Sequence, residues 1–384
     1  MTSATAGSRR RVLFVINSLA GGGAERVMTS LIAASEDRRD RFDMALALID
    51  QEPRHYPVPD WLEVHQLDGR MSLPRSIGQV ERLARRWKPD LSLSFLTRAN
   101  IATTIASLLH RHPGIISERA NTTGHFKPGP SGRVAKGLIR ATYPRAARVV
   151  APSAGIAEDL ADAFGVAERR IVTIANPVDA ARIRALAREP ATPPVAGRYA
   201  VAVARLAPSK NVGLLVDALA ASGSDLSLVI LGQGPERARI EARVAGHGLS
   251  DRVVMPGFVA NPYPIVAGAA CYLSASNGEG FPNGLVEALA LGVPAAMANC
   301  ASGPSEILAD MRRQDVPGLH EGRYGILVPP NDVDAMARAI AMVSEPARAE
   351  TLAAAGPSRA DEYSVKAATD RYWQVIEAAL DRRH

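Results

Sequence analysis

The stretch NGEGFPNGLVEALALGVP, Asn277–Pro294, is the one from which the rest of the chain is read. The residues before it, YLSAS, read as a strand that runs out into glycine-rich backbone. GLVEALAL then resumes with apolar residues at helical spacing. Asn283 is placed to cap that helix, which puts Glu287 near its first turn. A carboxylate there complements the helix dipole, worth about 0.3–1 kcal/mol. Yet Glu287 is flanked by Leu285, Val286 and Leu289, in a segment apolar enough to be covered, and a covered carboxylate needs donors. The vicinal hydroxyls of a ribose would supply two. Glu279, eight residues earlier, would then reach another part of the same elongated ligand. The free N–H groups at the helix start would face its negative centre.

The same strand–loop–helix unit recurs on both sides of this stretch. RVLFVIN (11–17), FDMALALID (42–50), LEVHQL (62–67), PDLSLSFLT (89–97), GIISER (114–119) and RVVAPS (148–153) read as strands. Helical stretches such as SIGQVERLARRW (76–87) and GRVAKGLIRATYPRA (132–146) separate them. This alternation predicts mostly parallel sheets covered on both faces. EPATPPVAG (189–197) concentrates proline and glycine, and the pattern restarts after it at RYAVAVARLAPSKN. The predicted organisation is a first domain over 1–188, a linker over 189–197 and a second domain over 198–365. An amphipathic helix over 366–384 follows, with Trp373 and Ile376 packed against a domain.

Composition narrows the class. At 384 residues the chain is long enough for two cores, and 47% apolar against 22% charged residues is an ordinary folding balance. The formal charge of +6 fits an anionic small ligand, an anionic membrane surface or nucleic acid. Aromatic residues at 5% weigh against base-stacking platforms, so no nucleic-acid partner is expected. The two cysteines, Cys271 and Cys300, have neither zinc-ligand nor disulfide-framework spacing, which points to a reducing compartment. The N-terminal MTSATAGSRR shows no separate leader region, and no apolar run reaches 18 residues, so no membrane span is expected.

Two more loops carry candidate chemistry. AGGGAERV (20–27) follows the first strand and opens a helix. Gly22 and Gly23 make either a structural turn or a close approach to an anion or sugar. VARLAPSKN (203–211) brings Arg205 and Lys210 together before another helix. Two cations beside free helix N–H groups suit a diphosphate, and a solvated basic loop is the alternative.

Taken with EGFPNGLVE, these pieces resemble the retaining glycosyltransferases of family 4, and EGFPNGLVE is similar to that family's Glu-x7-Glu motif. GGAERV (22–27), SERAN (117–121), NPVD (176–179), RLAPSKN (205–211), LGQGPER (231–237) and SGPSEIL (302–308) carry the same likeness. It runs from about residue 10 to 370. The resemblance implies an α/β, GT-B fold with two Rossmann-like domains facing a central cleft, the first on the acceptor side and the second binding a nucleotide diphosphate sugar, by default a UDP-sugar. It implies that the C-terminal helix crosses back to the N-terminal domain. Arg205 and Lys210 would neutralise the diphosphate, and Glu287 would take the ribose hydroxyls. Glu279, with Arg205 and Lys210 a catalytic candidate, would sit beside the transferred sugar, either as an electrostatic group or purely as a ligand of sugar hydroxyls. A front-face route fits better than Glu279 as nucleophile. The Gly280 and Phe281 amides would touch the sugar's hydroxyls. The Leu285 and Val286 amides would support the phosphates, Phe258 would border the base, and the Gly22–Gly23 turn would approach the sugar–phosphate. No metal cofactor is expected.

The implied reaction moves a hexose or N-acetylhexosamine, with retention, to a lipid-linked or soluble saccharide acceptor in exopolysaccharide, lipopolysaccharide or glycolipid biosynthesis. Some members of the family place a first-domain histidine near the transferred sugar. His125 is the candidate here, with a surface loop as the alternative. Glu118 and Arg119 would face the cleft instead, with Arg119 as no more than a partner of Glu118 or of the loop backbone as the other reading. The basic segment 127–148, with Lys127, Arg133, Lys136, Arg140, Arg145 and Arg148, either lies on anionic lipid or is a solvated helix of its own domain. The expected location is cytoplasmic, with peripheral attachment to the inner face of the cell membrane left open. A nucleotide-sugar epimerase of GT-B type and a non-catalytic sugar-nucleotide-binding protein are the competing readings. The presence of Arg205, Lys210, Glu279 and Glu287 together favours the transferase.

Overall fold

The computed structural model describes residues 9–119, 123, 129–192 and 194–381. Candidates His125 and Lys127 lie outside them. The chain divides into two compact units. The first takes the described residues up to Pro152, then Ile156–Pro177 and the segment from Val365. The second takes Ser153–Gly155 and Val178–Ser364.

In the first unit the order is β1 (Arg10–Ile16), α1 (Gly23–Ala33), β2 (Phe42–Leu48), β3 (Glu63–Gln66), α2 (Leu73–Trp87), β4 (Leu91–Phe95), α3 (Thr97–His110), β5 (Gly114–Ser117), α4 (Pro130–Thr142), β6 (Arg148–Ala151), α5 (Ala154–Phe164) and β7 (Ile171–Thr173). The strands lie β3-β2-β1-β4-β5-β6-β7, all parallel. Val12 to Ile16 have no exposed surface, because helices cover both faces of a parallel sheet and leave no polar side. The strand order reverses between β1 and β4. Their outgoing loops part there, and a crevice forms at the carboxyl ends of the strands.

The second unit begins with α6 (Ala180–Leu186) and continues β8 (Tyr199–Val203), α7 (Val212–Ala221), β9 (Ser227–Leu231), α8 (Arg237–Gly246), β10 (Val253–Gly257), α9 (Tyr263–Ala267), β11 (Cys271–Ser274), α10 (Asn283–Ala290), β12 (Ala295–Ala298), α11 (Pro304–Ala309), β13 (His320–Gly322), β14 (Gly325–Val328), α12 (Val333–Val343) and α13 (Pro346–Asp361). Its sheet runs β10-β9-β8-β11-β12-β14-β13, parallel except for the β13–β14 pair. Here the order reverses between β8 and β11.

The chain enters the second unit at Val178, ahead of the 189–197 stretch predicted as linker. Helix α6 explains the difference. The Arg184 guanidinium donates to the Ala290 carbonyl (2.9 Å), and Asn261 Nδ2 donates to the Leu186 carbonyl (3.0 Å). Proline and glycine mark the turn after this helix, whereas its packing partners change before it.

The last helix, α14 (Val365–Asp381), belongs to the first unit. Tyr372, Trp373 and Ile376 pack with Phe14, Ile32, Phe42 and Phe95. Trp373 is fully buried; its indole N–H donates to Ser35 Oγ (2.8 Å), and its ring lies 4.6 Å from that of Phe42. No helix among the described residues is long and apolar enough to cross a membrane. Trp373→Ala is expected to destabilise the first unit by about 3–5 kcal/mol, since it leaves a cavity and removes the donor that the buried Ser35 hydroxyl accepts from. Urea unfolding followed by circular dichroism would measure this loss.

Candidate active site

In the second unit, the loops after β8, β9, β10, β11 and β12 all leave the same edge of the sheet. The β8 loop carries Arg205 and Lys210, and its shape is imposed by the loop after β9. Leu206 N–H donates to the Gln233 carbonyl (2.8 Å), and Glu236 N–H donates to the Leu206 carbonyl (3.0 Å). The two backbones lie so close that a Cβ at Gly232 would fall 1.9 Å from the Ala204 oxygen, and Gly232 also has φ +140°. Leu206 is fully buried, which anchors the loop and leaves its neighbour Arg205 exposed.

Lys210 ends a short 3-10 turn, and its ammonium donates to Glu279 Oε1 at 2.6 Å. The two side chains are 25% and 16% exposed, so neither charge is fully solvated. This pair joins the loops after β8 and β11 across the reversal of strand order. Backbone contacts reinforce it: Asn277 N–H donates to the Ser209 carbonyl (2.8 Å), as does Ser276 Oγ (3.3 Å). From the loop after β12, Ser302 Oγ donates to the Glu279 carbonyl.

Helix α10 starts at Asn283 itself, with Pro282 in the cap position and no side-chain cap. The predicted Asn283 cap is therefore not made. The Asn283 amide turns back to the Phe281 carbonyl (2.9 Å), and the Leu285 and Val286 amides donate to the Pro282 carbonyl (3.0 and 3.3 Å). Those two amides, predicted to support phosphates, are engaged within their own turn. Among the described residues no backbone acceptor meets the Gly280 or Phe281 amide. The Phe281 side chain is buried edge-on against Tyr363, with ring centroids 5.3 Å apart. Glu287 sits in the second turn of α10, half-buried.

The two glutamates act on what lies beneath them. Burial, then the charges of Glu279 and Glu287, push the Tyr272 hydroxyl far above its ordinary range, so it stays protonated. Burial and Glu279 push the Cys300 thiol up to about 12, and burial pushes Cys271 up to about 12, so neither is a nucleophile. Phe258, after β10, is 72% exposed.

The first unit presents its own carboxyl edge. Gly22 is the cap residue of α1 and Gly23 its first residue. A Cβ at Gly22 would meet Glu25 Oε2 at 2.4 Å, so the glycine makes room for a carboxylate folded back over the turn. Burial is the main cause that lifts the Glu25 carboxyl above its usual range. Its own backbone N–H opposes this, nearby Glu52 adds to it, and Arg119 draws it down. Asp50 is buried and paired with Arg98; burial raises its carboxyl, but the Arg98 and Met71 N–H bonds and the Arg98 charge together hold it below the usual range. Glu118 is buried and taken up internally, by Tyr143 Oη (2.6 Å), Thr97 Oγ1 (3.3 Å) and the Arg119 amide (3.0 Å). Among the described residues no three His, Cys, Asp or Glu side chains converge to hold a metal ion.

Comparison with known proteins accounts for this architecture. The family model "Glycosyltransferase Family 4" matches residues 21–182, and "Glycosyl transferases group 1" matches residues 184–357. The chain is 28% identical over 307 residues to N-acetylgalactosamine-N,N'-diacetylbacillosaminyl-diphospho-undecaprenol 4-alpha-N-acetylgalactosaminyltransferase of Campylobacter jejuni, covering 77% of this chain and 82% of that one. It is 25% identical to the lipopolysaccharide core biosynthesis glycosyltransferase LpsE of Rhizobium meliloti, over 96% of this chain and 95% of that one. The crystal structure of Anabaena HepE in complex with UDP superposes with a TM-score of 0.74 at 21% identity, covering 96% of this chain and 100% of that one. The fold is GT-B, and the chain belongs to the GT-B glycosyltransferase superfamily that joins these two domain families. It is a glycosyltransferase.

The packing of the β8 and β9 loops gives a direct test. Gly232→Ala is expected to move the Ala204–Leu206 backbone and destabilise the protein by about 1–3 kcal/mol. Thermal unfolding of this variant beside the wild type would measure it.

Proposed function

We propose that this enzyme is a retaining glycosyltransferase that moves a hexose or N-acetylhexosamine from a nucleotide diphosphate sugar, a UDP-sugar by default, to a lipid-linked saccharide in polysaccharide or glycolipid biosynthesis. The observation that carries this is the Lys210–Glu279 pair at the strand-order reversal, with Glu287 on the helix that follows. Relatives named for undecaprenyl-diphosphate-linked and lipopolysaccharide-core acceptors support the acceptor class. The similar Anabaena structure, solved with UDP and with UDP-glucose, supports the donor class.

In this reading Glu279 holds Lys210 in place until the donor arrives, and Lys210 then shares its donors with the phosphates. Glu279 is thereby freed to accept hydroxyls of the transferred sugar, beside the Gly280 and Phe281 amides. Glu287 takes the ribose hydroxyls, Phe258 borders the base and the Gly22–Gly23 turn approaches the sugar–phosphate. As the C1–O bond breaks, negative charge grows on the departing diphosphate while the sugar becomes cation-like. Arg205 and Lys210 stabilise that change more than they stabilise the intact donor, which is what lowers the barrier. The acceptor oxygen attacks from the face the phosphate leaves. Its proton passes to the departing phosphate oxygen, the glycosidic bond forms and the anomeric configuration is kept.

Lys210→Ala and Arg205→Ala are each expected to cut turnover by about 10²–10³-fold. The assay is a donor panel with a lipid-linked acceptor pool, read by mass shift and anomeric coupling. Unchanged donor binding and turnover in both variants would sink the diphosphate clamp; inverted product would sink the stereochemistry.

The face around α4 supports an anionic membrane partner for segment 127–148. Arg133, Arg140 and Arg145 are exposed there, and Val134 among them is 63% exposed. Each cation near an anionic surface contributes about 1 kcal/mol. Sedimentation with phosphatidylglycerol vesicles is expected to show binding at low salt that is lost at high salt. Binding indifferent to salt, or none, counts against this face.

A further inference from the structure

Arg119 follows β5 at the carboxyl edge of the first unit's sheet, beside the reversal of strand order. Its guanidinium is held on three sides. Its Cζ lies over the Phe95 ring, 4.4 Å from the centroid. Nη1 donates to Ser117 Oγ (3.2 Å) and to Tyr372 Oη (3.1 Å). Phe95 and Tyr372 pack on each other at 5.9 Å, so the box itself is fixed. The remaining nitrogens, Nε and Nη2, are shielded from solvent and have no hydrogen-bond partner among the described residues. These two lie on the same side of the guanidinium, where their N–H bonds run parallel. That edge is the fork that grips a phosphate or carboxylate with two bonds at once.

A charged group with two buried, unused donors is costly, and such a cost is tolerated where a ligand completes the set. The Arg119 side chain as a whole is only partly buried. The charge of Glu25, on the first turn of α1, is felt against that of Arg119, so the fork belongs with the Gly21–Gly23 turn and the amino end of that helix. Asn17, which follows β1 at the same edge, has a buried Oδ1 that is also without a partner among the described residues and would accept a hydroxyl.

We propose that the Nε–Nη2 edge of Arg119 is a phosphoryl-binding site of the first unit, taking a phosphate of the substrate while Asn17 accepts a neighbouring sugar hydroxyl. This rests on the glycosyltransferase reading above and adds to it a second phosphate contact, separate from Arg205 and Lys210. The phosphate comes either from a diphosphate-linked acceptor or from the donor.

The test uses the full chain with Arg119→Ala and Arg119→Lys, the second keeping the charge but not the fork. Calorimetric titrations with inorganic pyrophosphate and with UDP are run beside kinetics on a polyprenyl-diphosphate-linked saccharide and on the same saccharide without its diphosphate. Both variants are expected to weaken one phosphate-bearing ligand by about 10- to 100-fold. If the phosphate is the acceptor's, the saccharide without diphosphate should be handled as by wild type; if it is the donor's, transfer to both saccharides falls alike. Loss confined to the linked acceptor assigns the phosphate to the acceptor, and loss confined to UDP assigns it to the donor. Wild-type affinity for every phosphate-bearing ligand in a folded Arg119→Lys variant overturns the proposal. A wild type that transfers no sugar overturns the functional reading instead, and the pyrophosphate titration still reads the fork.

Discussion

The contact on which the candidate site depends is the ion pair between Lys210 and Glu279. It spans the point where the second sheet reverses its strand order, and so it connects loops that the topology sends apart. Both groups are largely covered, and a partly buried charge is stable only with its partner in place. Everything else at that edge is arranged to hold the pair. The Ser209 carbonyl receives Asn277 and Ser276 from the opposite loop, and Ser302 grips the Glu279 backbone from a third. The close approach at Gly232 and Gly234 fixes the Arg205 loop from the other side. An anion that enters such a site meets cations already oriented, which makes electrostatic stabilisation effective.

The first unit meets the same requirement with hydrogen bonds instead of one dominant pair. Asn100 is completely buried, accepts from Ser94 Oγ and donates to the Ser117 carbonyl and to Tyr143 Oη. Tyr143 passes the chain on to Glu118. A satisfied buried network of this kind rigidifies the strand ends it connects. Against that background the two empty nitrogens of Arg119 stand out, because nearly every other polar group around them is used.

Local signals made much of this legible. The alternation of strands and helices made the two mostly parallel sheets readable, and the stretch from Glu279 to Glu287 the turn and helix that carry the candidate site. The misses have a common physical origin. Asn283 has the chemistry of a cap, but Pro282 fixes the backbone so that its own carbonyl receives the first amides. Proline and glycine at 189–197 signalled a boundary, yet α6 had already found its partners in the second unit. The Lys210–Glu279 pair, between residues 69 apart in sequence, is beyond any local signal.

By itself, then, the sequence determined the fold class, the repeated strand–turn–helix units and the loops where charge and glycine meet, since each is decided within a few residues of its own neighbourhood. Only the tertiary structure decided which of those loops become neighbours. In a parallel sheet that depends on strand order, and strand order is set by the packing of distant helices and strands, not by any pattern within one element. The Lys210–Glu279 pair, the capture of Glu118 by Tyr143 and the unused edge of Arg119 all arise from that long-range choice.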